Sequence, residues 1–417
     1  MSVQIIQGNA LDLPLADASV DLVVTSPPYF GLRSYQDGGE HYDGQIGAEA
    51  TPAEFVDALI AATREMVRVV KPSGSIWVNL GDKYAGQSAQ GDTQFSGQGA
   101  RNGNRRSSPA KVAGISAKSL IGIPWRYALR CIDDLGLILR AEVIWSKPNG
   151  MPESVKDRVR RSHETWFHFT KEPRYYSAVD EIREAVASDN ANGKTWRERA
   201  ASGEVRGSRY AEHIGTDGAF KGGTLAPNPL GKLPGSVWTI PTQPLTVPAD
   251  LGVDHFAAFP MEWPRRIIRG WSPPGVCTEC GEGRAPIRAS EKVSSRPGFN
   301  VRDQRMPGRH ASGNQGREGR AGDFLVSITG YVCGCPEPTA ETTPAVVLDP
   351  FGGTGTTALV AHALGRHGVS VDMSADYCRL ARWRTTDPGQ VAAAINMDRY
   401  GTRRPTKKQI QEYEENR

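Results

Sequence analysis

Asp349-Pro350-Phe351-Gly352-Gly353-Thr354-Gly355-Thr356-Thr357 is the stretch on which the reading of this chain turns. It follows the apolar run Ala345-Val346-Val347-Leu348 and precedes a helical pattern from Ala358 to Leu364. That order is strand, glycine-rich turn, helix. The glycines let a ligand approach backbone that any Cβ would block. The helix start points its free N–H groups toward the same place. About 20 residues beyond the start of the turn, the strand-like run Gly368-Val369-Ser370-Val371 ends in Asp372, where a carboxylate suits a ribose diol. A dinucleotide fold is the first rival. However, Gly352-Gly353-Thr354-Gly355 is not G-x-G-x-x-G, and no G-x-x-x-x-G-K-[ST] occurs. On this turn alone, a plain strand-to-helix connection is an equal reading.

A second motif changes that balance. Thr25-Ser26-Pro27-Pro28-Tyr29 follows the apolar run Val20-Asp21-Leu22-Val23-Val24. Two prolines can continue neither a sheet ladder nor a helix, so the strand stops in a stiff turn. Pro27 and Pro28 offer carbonyls without N–H, Ser26 adds a hydroxyl, and Tyr29 adds a flat aromatic face. Such a turn suits a planar ring bearing an exocyclic amine, although Ser-Pro-Pro-Tyr can also be an ordinary loop. Together the two motifs resemble those of the S-adenosylmethionine-dependent amino-methyltransferases of DNA, over roughly 3–272 and 345–385. The catalytic motif precedes the cofactor motif, as in the permuted β class of that family.

Composition sets the outer limits. A chain of 417 residues holds a full catalytic domain and one or two smaller modules. The formal net charge of +4 does not by itself announce nucleic acid, so basic residues have to be located locally. No apolar run approaches the roughly 18 residues of a membrane span. The start Met-Ser-Val-Gln-Ile-Ile-Gln-Gly lacks the basic and apolar regions of a signal peptide. The resemblance then implies a cytoplasmic enzyme, bacterial or phage-encoded in a bacterial host.

The rest of the chain reads as alternating strands and helices. Val3–Ile6 is a short strand, followed by Gly8-Asn9. Phe55, Val56, Leu59, Ile60, Met66, Val67 and Val70 mark a core-facing helix over 54–70, stopped by Lys71-Pro72-Ser73-Gly74. Ser75–Leu80 is the next strand, and the βαβ rhythm favours a parallel sheet. Leu120–Leu135 reads as a helix with Pro124 in its first turn. Leu137–Trp145 and His163–Thr170 read as strand segments, and Trp263–Arg269 as a helix; Val237-Trp238-Thr239-Ile240 starts a stretch that ends in His255-Phe256-Ala257-Ala258-Phe259-Pro260. His163 and His168 flank apolar residues and read as structural. The expected architecture is a doubly wound, mostly parallel Rossmann-like sheet with circularly permuted motif order. Its catalytic domain is split over 1–184, 236–272 and 345–390.

Three segments break the rhythm. Residues 83–111 are polar and hold Lys83, Arg101, Arg105, Arg106 and Lys111 against Asp92 alone, which favours a loop that closes on DNA phosphate. Residues 185–235 are Gly-rich and irregular, as expected of a target-recognition segment. Residues 273–340 contain Cys277-Thr-Glu-Cys280-Gly and Cys333-Gly-Cys335. Four thiolates suit tetrahedral zinc, and the C-x-x-C lies outside any thioredoxin-like pattern. Nine Lys/Arg against five Asp/Glu between 281 and 323 make the connecting loop basic. The reading is an inserted zinc-ribbon-like module; free or redox-paired cysteines are the alternative. Cys131 and Cys378 fall in helical patterns and read as core. Residues 391–417 form a charged tail.

The resemblance assigns further roles. Ser26, Pro27, Pro28 and Tyr29 would hold the target base. Asn9, Phe259, Pro260, Asp349, Phe351, Gly352, Gly353, Thr354, Gly355, Thr356, Thr357 and Asp372 would shape the cofactor site. Asn9 stands where the family usually has Asp. Arg158, Arg160 and Arg161, with Lys147, lie where the family places DNA-facing loops, and the local charge agrees. Arg33 could meet a phosphate or stay solvated. The implied reaction is methyl transfer from S-adenosylmethionine to an exocyclic amine of a base flipped out of duplex DNA. Ser-Pro-Pro-Tyr goes more often with N4 of cytosine than with N6 of adenine in the family. A cognate restriction endonuclease is an implied partner. Rival readings are a DNA-binding module that has lost its chemistry and a methyltransferase acting on RNA or a protein amide.

Overall fold

The computed structural model describes residues 3–31, 36–37, 40–41, 44–86, 115–150, 152–153, 155–184, 232–248, 251, 259–292, 324–335 and 340–395. Its core is an eight-stranded sheet. The strands are β1 (Val3–Gln7), β2 (Val20–Thr25), β3 (Val70–Leu80), β4 (Ile138–Ser146), β5 (His163–Thr170), β6 (Val237–Thr239), β7 (Val346–Asp349) and β8 (His367–Asp372). The spatial order is β1-β8-β7-β2-β3-β5-β4-β6. The run from β1 to β3 is parallel throughout. β5 is antiparallel to both β3 and β4, and β6 is parallel to β4. The reversal has a consequence for the site: the start of β5, rather than its end, lies beside the carboxyl ends of β2 and β3.

Helices cover both faces. α1 (Pro52–Val69) opens with a reciprocal cap in which Thr51 and Glu54 satisfy each other's backbone N–H groups. Its apolar stripe, Phe55, Val56, Leu59, Ile60 and Met66, is buried with Val23, Ile76, Val78 and Leu348. α2 (Ile123–Leu135) adds Tyr127, Ala128 and Cys131 to that face. Leu22, Val24 and Trp77 alternate with these and point to the opposite face, where α3 (Glu262–Trp271) packs. α4 (Thr356–Ala363), α5 (Ala375–Thr386) and α6 (Pro388–Ile395) complete the order. Beside α3, Trp77, Trp145, Trp166, Trp238, Trp263 and Trp271 form one aromatic slab, with centroids 4.9 Å apart for Trp166–Trp263 and 5.0 Å for Trp238–Trp263. His168 stacks on Trp77 at 4.5 Å, and burial pushes its imidazole down to about 3, so it is neutral there.

Among the boundaries that differ from the sequence reading, two have a clear physical cause, and 391–395 of the expected charged tail belong to α6, where Val391, Ala392 and Ala394 are buried. α2 starts at Ile123 rather than Leu120, because Gly122 takes a left-handed conformation (φ +80) and Asp82 accepts from the Gly122 and Ile123 N–H groups. That cap comes from 40 residues upstream in sequence. Lys71–Gly74 does end α1, but the same residues lie inside β3. There the pairing with β2 jumps from Val20/Val70 to Leu22/Ser75.

The chain divides into two units. One comprises 1–181, 235–285 and 333–417; the other comprises 182–234 and 286–332. All four motif cysteines belong to the first unit. In the second, Glu184 and Lys232 exchange backbone hydrogen bonds and form an ion pair at 3.6 Å.

Gly368 in β8 tests the sheet-to-helix packing. A Cβ there would fall 2.5 Å from the Ala358 carbonyl oxygen of α4. Backbone cannot swing aside as a side chain does, so Gly368→Ala is expected to lower unfolding free energy by about 1–3 kcal/mol. Urea titration at unchanged slope measures it.

Candidate functional site

A cleft opens at the carboxyl ends of β1, β8, β7 and β2, the edge at which open α/β sheets take their ligands. Of the site residues singled out from the sequence, Asn9, Ser26, Pro28, Phe351, Gly353, Thr354 and Asp372 line it, with Gly8 beside them. Ala10, Gln45, Ile46, Pro350, Met373 and Tyr377 line it as well. Met373 and Pro350 adjoin motif residues, but nothing in the loop around Gln45 and Ile46 announces them.

The floor is the glycine-rich turn. A Cβ on Gly352 would sit 1.8 Å from Ser370 Oγ, and Gly353 and Gly355 have φ of +48 and +74. Asp372 accepts from the Gly353 N–H at 2.8 Å and, with its other oxygen, from the Ser374 N–H at 2.9 Å. Asn9 uses Oδ1 to accept from its own turn, at the Leu11 N–H (2.9 Å).

Asp349, Thr356 and Thr357 stand behind the cleft rather than in its lining. Asp349 is 1% exposed. Its Oδ1 accepts from Thr25 Oγ1 at 2.7 Å and from the Phe351 N–H at 3.2 Å; its Oδ2 accepts from Thr357 Oγ1 at 2.9 Å. One carboxylate thus joins β2 to the glycine-rich turn and to α4. Burial raises its pKa to about 6 against the pull of those donors. Thr356 and Thr354 each accept from Arg384 Nη1 at 2.7 Å.

The second motif is held by residues that the sequence does not single out. Asn79, at the end of β3, donates Nδ2 to the Thr165 carbonyl and turns Oδ1 toward the motif. Ser26 Oγ donates to that Oδ1 at 3.2 Å. Its only proton is then committed, so Ser26 presents lone pairs. The Tyr29 hydroxyl lies 2.6 Å from Asn79 Oδ1 and 2.8 Å from Glu164 Oε2, and the Tyr29 ring lies where a Cβ on Gly81 would be.

Other expected site residues have different surroundings. Lys147 is half-buried, pairs with Glu164 and lies over the Trp145 ring, so its charge serves the site's own frame. Arg158 pairs with Glu153 and covers the Tyr84 ring, Arg160 donates to the Gly150 carbonyl, and Arg161 faces Asp82 at 3.6 Å. Arg33, Arg101, Arg105 and Arg106 lie outside the described residues. Phe259 packs edge-on against Trp166, the Pro260 carbonyl accepts from the Trp263 N–H at the start of α3, and neither is among the residues that line the cleft. The segment His255–Ala258 before them is outside the described residues.

Cys277, Cys280, Cys333 and Cys335 converge, with all four Sγ atoms within 4.8 Å of one another. Cys277 sits in a two-residue strand pairing Val276–Cys277 with Thr342–Thr343, just ahead of β7. The Cys333–Cys335 and Cys277–Cys335 sulfurs are 3.2 and 3.7 Å apart, too far for a disulfide.

Comparison with known proteins matches the DNA methylase family (N6_N4_Mtase) over residues 20–277 and 341–382. The chain belongs to that family of DNA amino-methyltransferases. The type II methyltransferase M.SmaI of Serratia marcescens is 29% identical over 92% of this chain and 90% of its own. M.XycI of Xanthomonas campestris pv. cyanopsidis is 34% identical over 64% of this chain and 72% of its own. M.Cfr9I of Citrobacter freundii is 41% identical over 43% of this chain, a match spanning 57% of that enzyme. Among solved structures, the PvuII DNA methyltransferase (cytosine-N4-specific) aligns over 97% of this chain and 89% of that one, with a TM-score of 0.44 and 17% identity.

The buried Asp349 of this methylase gives a pH test. Its folded pKa lies above the ordinary carboxylate value, so the folded state holds this proton more tightly than the unfolded chain does. The resulting stability is fully present below about pH 4 and is lost as pH rises through about 6. Unfolding free energy should fall by up to about 3 kcal/mol across that window from this group. Asp349→Asn should remove that component, read as the difference between wild-type and variant urea titrations from pH 4 to 7.

Proposed function

We propose that the chain is a site-specific DNA methyltransferase that moves a methyl group from S-adenosylmethionine to N4 of cytosine by direct displacement. The observation that carries this reading is the Asp349 bridge, which brings the Ser26–Tyr29 turn and the glycine-rich turn to one cleft. The order of the two turns along the chain is that of the permuted β class. Met373, Tyr377 and Ile46 offer apolar walls suited to an adenine, and Asp372 suits its ribose.

S-adenosylmethionine supplies an electrophilic methyl group on a sulfonium. The chain's own task is to make a poor nucleophile competent, since the amine's lone pair is delocalised into the base. The Ser26 hydroxyl, its proton held by Asn79, and the Pro27 carbonyl accept the two amine hydrogens and favour a localised lone pair. Tyr29, held through Asn79 and Glu164, stacks on the flipped base. Positioning of this kind accounts for most of the acceleration. The loop carrying Arg158, Arg160 and Arg161, braced from within, is the proposed DNA-facing edge. Cytosine rather than adenine rests on Ser at position 26. The type II relatives extend the proposal to a cognate restriction endonuclease as partner.

We infer further that the cysteine cluster holds a structural zinc ion. Tetrahedral zinc with Zn–S bonds of about 2.3 Å places its sulfurs about 3.8 Å apart, close to the observed spacing. The chain's four thiolates would close the site and tie the segments flanking 281–332 together ahead of β7.

Nucleoside mass spectrometry tests the reaction. Protein incubated with S-adenosylmethionine and unmethylated duplex DNA of varied sequence should yield N4-methylcytosine. Tyr29→Ala should abolish it, and Ser26→Ala should slow it roughly a hundredfold. N6-methyladenine in its place would overturn the choice of base; neither product, with cofactor binding intact, would point to RNA or protein substrates. For zinc, elemental analysis should find one equivalent per chain, lost in Cys277→Ser. Metal-free protein with full stability would remove the zinc proposal.

A further inference from the structure

The connection from β4 to β5, 147–162, carries an apolar side chain held out in water. Val159 is 85% exposed, more than any other large apolar residue among those described; the next, Val237, is 59% exposed. A single exposed valine is ordinary. This one sits between residues that are tied down. Arg158 covers the Tyr84 ring at 3.9 Å, pairs with Glu153 and donates to the Val159 carbonyl itself at 3.0 Å. Arg160 donates to the Gly150 carbonyl across the loop at 3.1 Å, and Arg161 faces Asp82. The backbone at the tip is thus fixed from both sides, while its apolar side chain packs on little.

The loop is also rooted at the second motif. The Lys147 N–H and the Ser162 carbonyl close its neck at 2.8 Å. Two residues further on, Glu164 meets the Tyr29 hydroxyl at 2.8 Å. Tyr84, beneath Arg158, comes three residues after Gly81, which lies against the Tyr29 ring. Neck and flank of the loop therefore both rest on residues that frame Tyr29. Lys156 and Arg160, both exposed, stand before and after Val159 in the chain and suit it to a phosphate backbone.

A base taken out of a duplex leaves a gap in the stack, and opening the pair is unfavourable. Apolar side chains inserted between base steps help to force such openings. A tip whose backbone is already fixed loses little further freedom on insertion. We propose that Val159 is a wedge that enters the DNA stack beside the target base and occupies the space that the flipped base leaves. The inference rests on the reading of the chain as a base-flipping DNA methyltransferase, and it assigns the opening of the pair to this loop.

Single-turnover methylation of two duplexes tests it. Both carry a site that the wild-type protein methylates. In one the target base is paired; in the other it lies opposite an abasic position, so that no pair has to be opened. Val159→Gly should slow methylation of the paired duplex roughly tenfold to a hundredfold. On the second duplex the loss should stay within about threefold, because an unpaired base leaves the stack more readily. Val159→Ile keeps a branched apolar side chain and should hold the paired-duplex rate within about threefold. Val159 is too exposed for either change to unfold the chain, which urea titration checks. Equal slowing on both duplexes would mean that the loop only holds DNA, and an unchanged rate on the paired duplex would also overturn the wedge. Wild-type protein that methylates no duplex DNA would instead bring down the proposed function, and the wedge with it.

Discussion

The site depends on one buried carboxylate. Thr25 and Asp349 are 324 residues apart in sequence and 2.7 Å apart in space, and Thr357 reaches the other Asp349 oxygen from the first turn of α4. Sheet pairing of β7 with β2 already makes the two strands neighbours. Pairing alone, however, does not set the turns that leave them. Asp349 does so, because a carboxylate can accept from both turns at once and a neutral side chain of similar size cannot. The protein tolerates an unfavourable ionisation there in exchange for the geometry. This is a local conflict of the kind that sites retain and cores avoid.

The frame was legible from the sequence wherever burial follows a short period. β2 is buried at every position, as its run of apolar residues suggests, and α1 buries the predicted stripe. The lining glycines, Ser26, Pro28 and Asp372 were legible because turn chemistry is local: a position that excludes a Cβ, or that needs positive φ, marks the sequence itself. What was not legible are partners brought in by the fold. Asp82 caps α2 from another strand end, Asn79 fixes Ser26 across 53 residues, and Glu164 reaches Tyr29 only because β5 runs antiparallel. The counter-ion of Lys147 is hidden in the same way: it lies on a neighbouring strand, where a linear reading does not find it.

Phe259 and Pro260 show the opposite limit. The resemblance expects them beside the cofactor; in the fold Phe259 packs edge-on against Trp166 and the Pro260 carbonyl accepts from the Trp263 N–H of α3. Aromatic side chains bury large areas and pack wherever the most partners are. A Phe packed on Trp166 therefore has a structural role of its own, which a reading of the motif alone does not reveal.

Beside the carboxylate of Asp372, hydroxyl groups give this cleft polarity without adding charge. A serine or threonine can donate or accept, and what stands behind it decides which. Behind Ser26 is an amide oxygen, which takes the proton and leaves an acceptor facing inward. Behind Thr354 is a guanidinium, which takes a lone pair of the hydroxyl oxygen. Two neutral side chains of similar chemistry thus have opposite partners behind them at two points of one cleft. Neither introduces a full charge that would have to be desolvated again when a ligand arrives. Asn79 and Arg384 are in place before any ligand is present, which is the economy of a preorganised site.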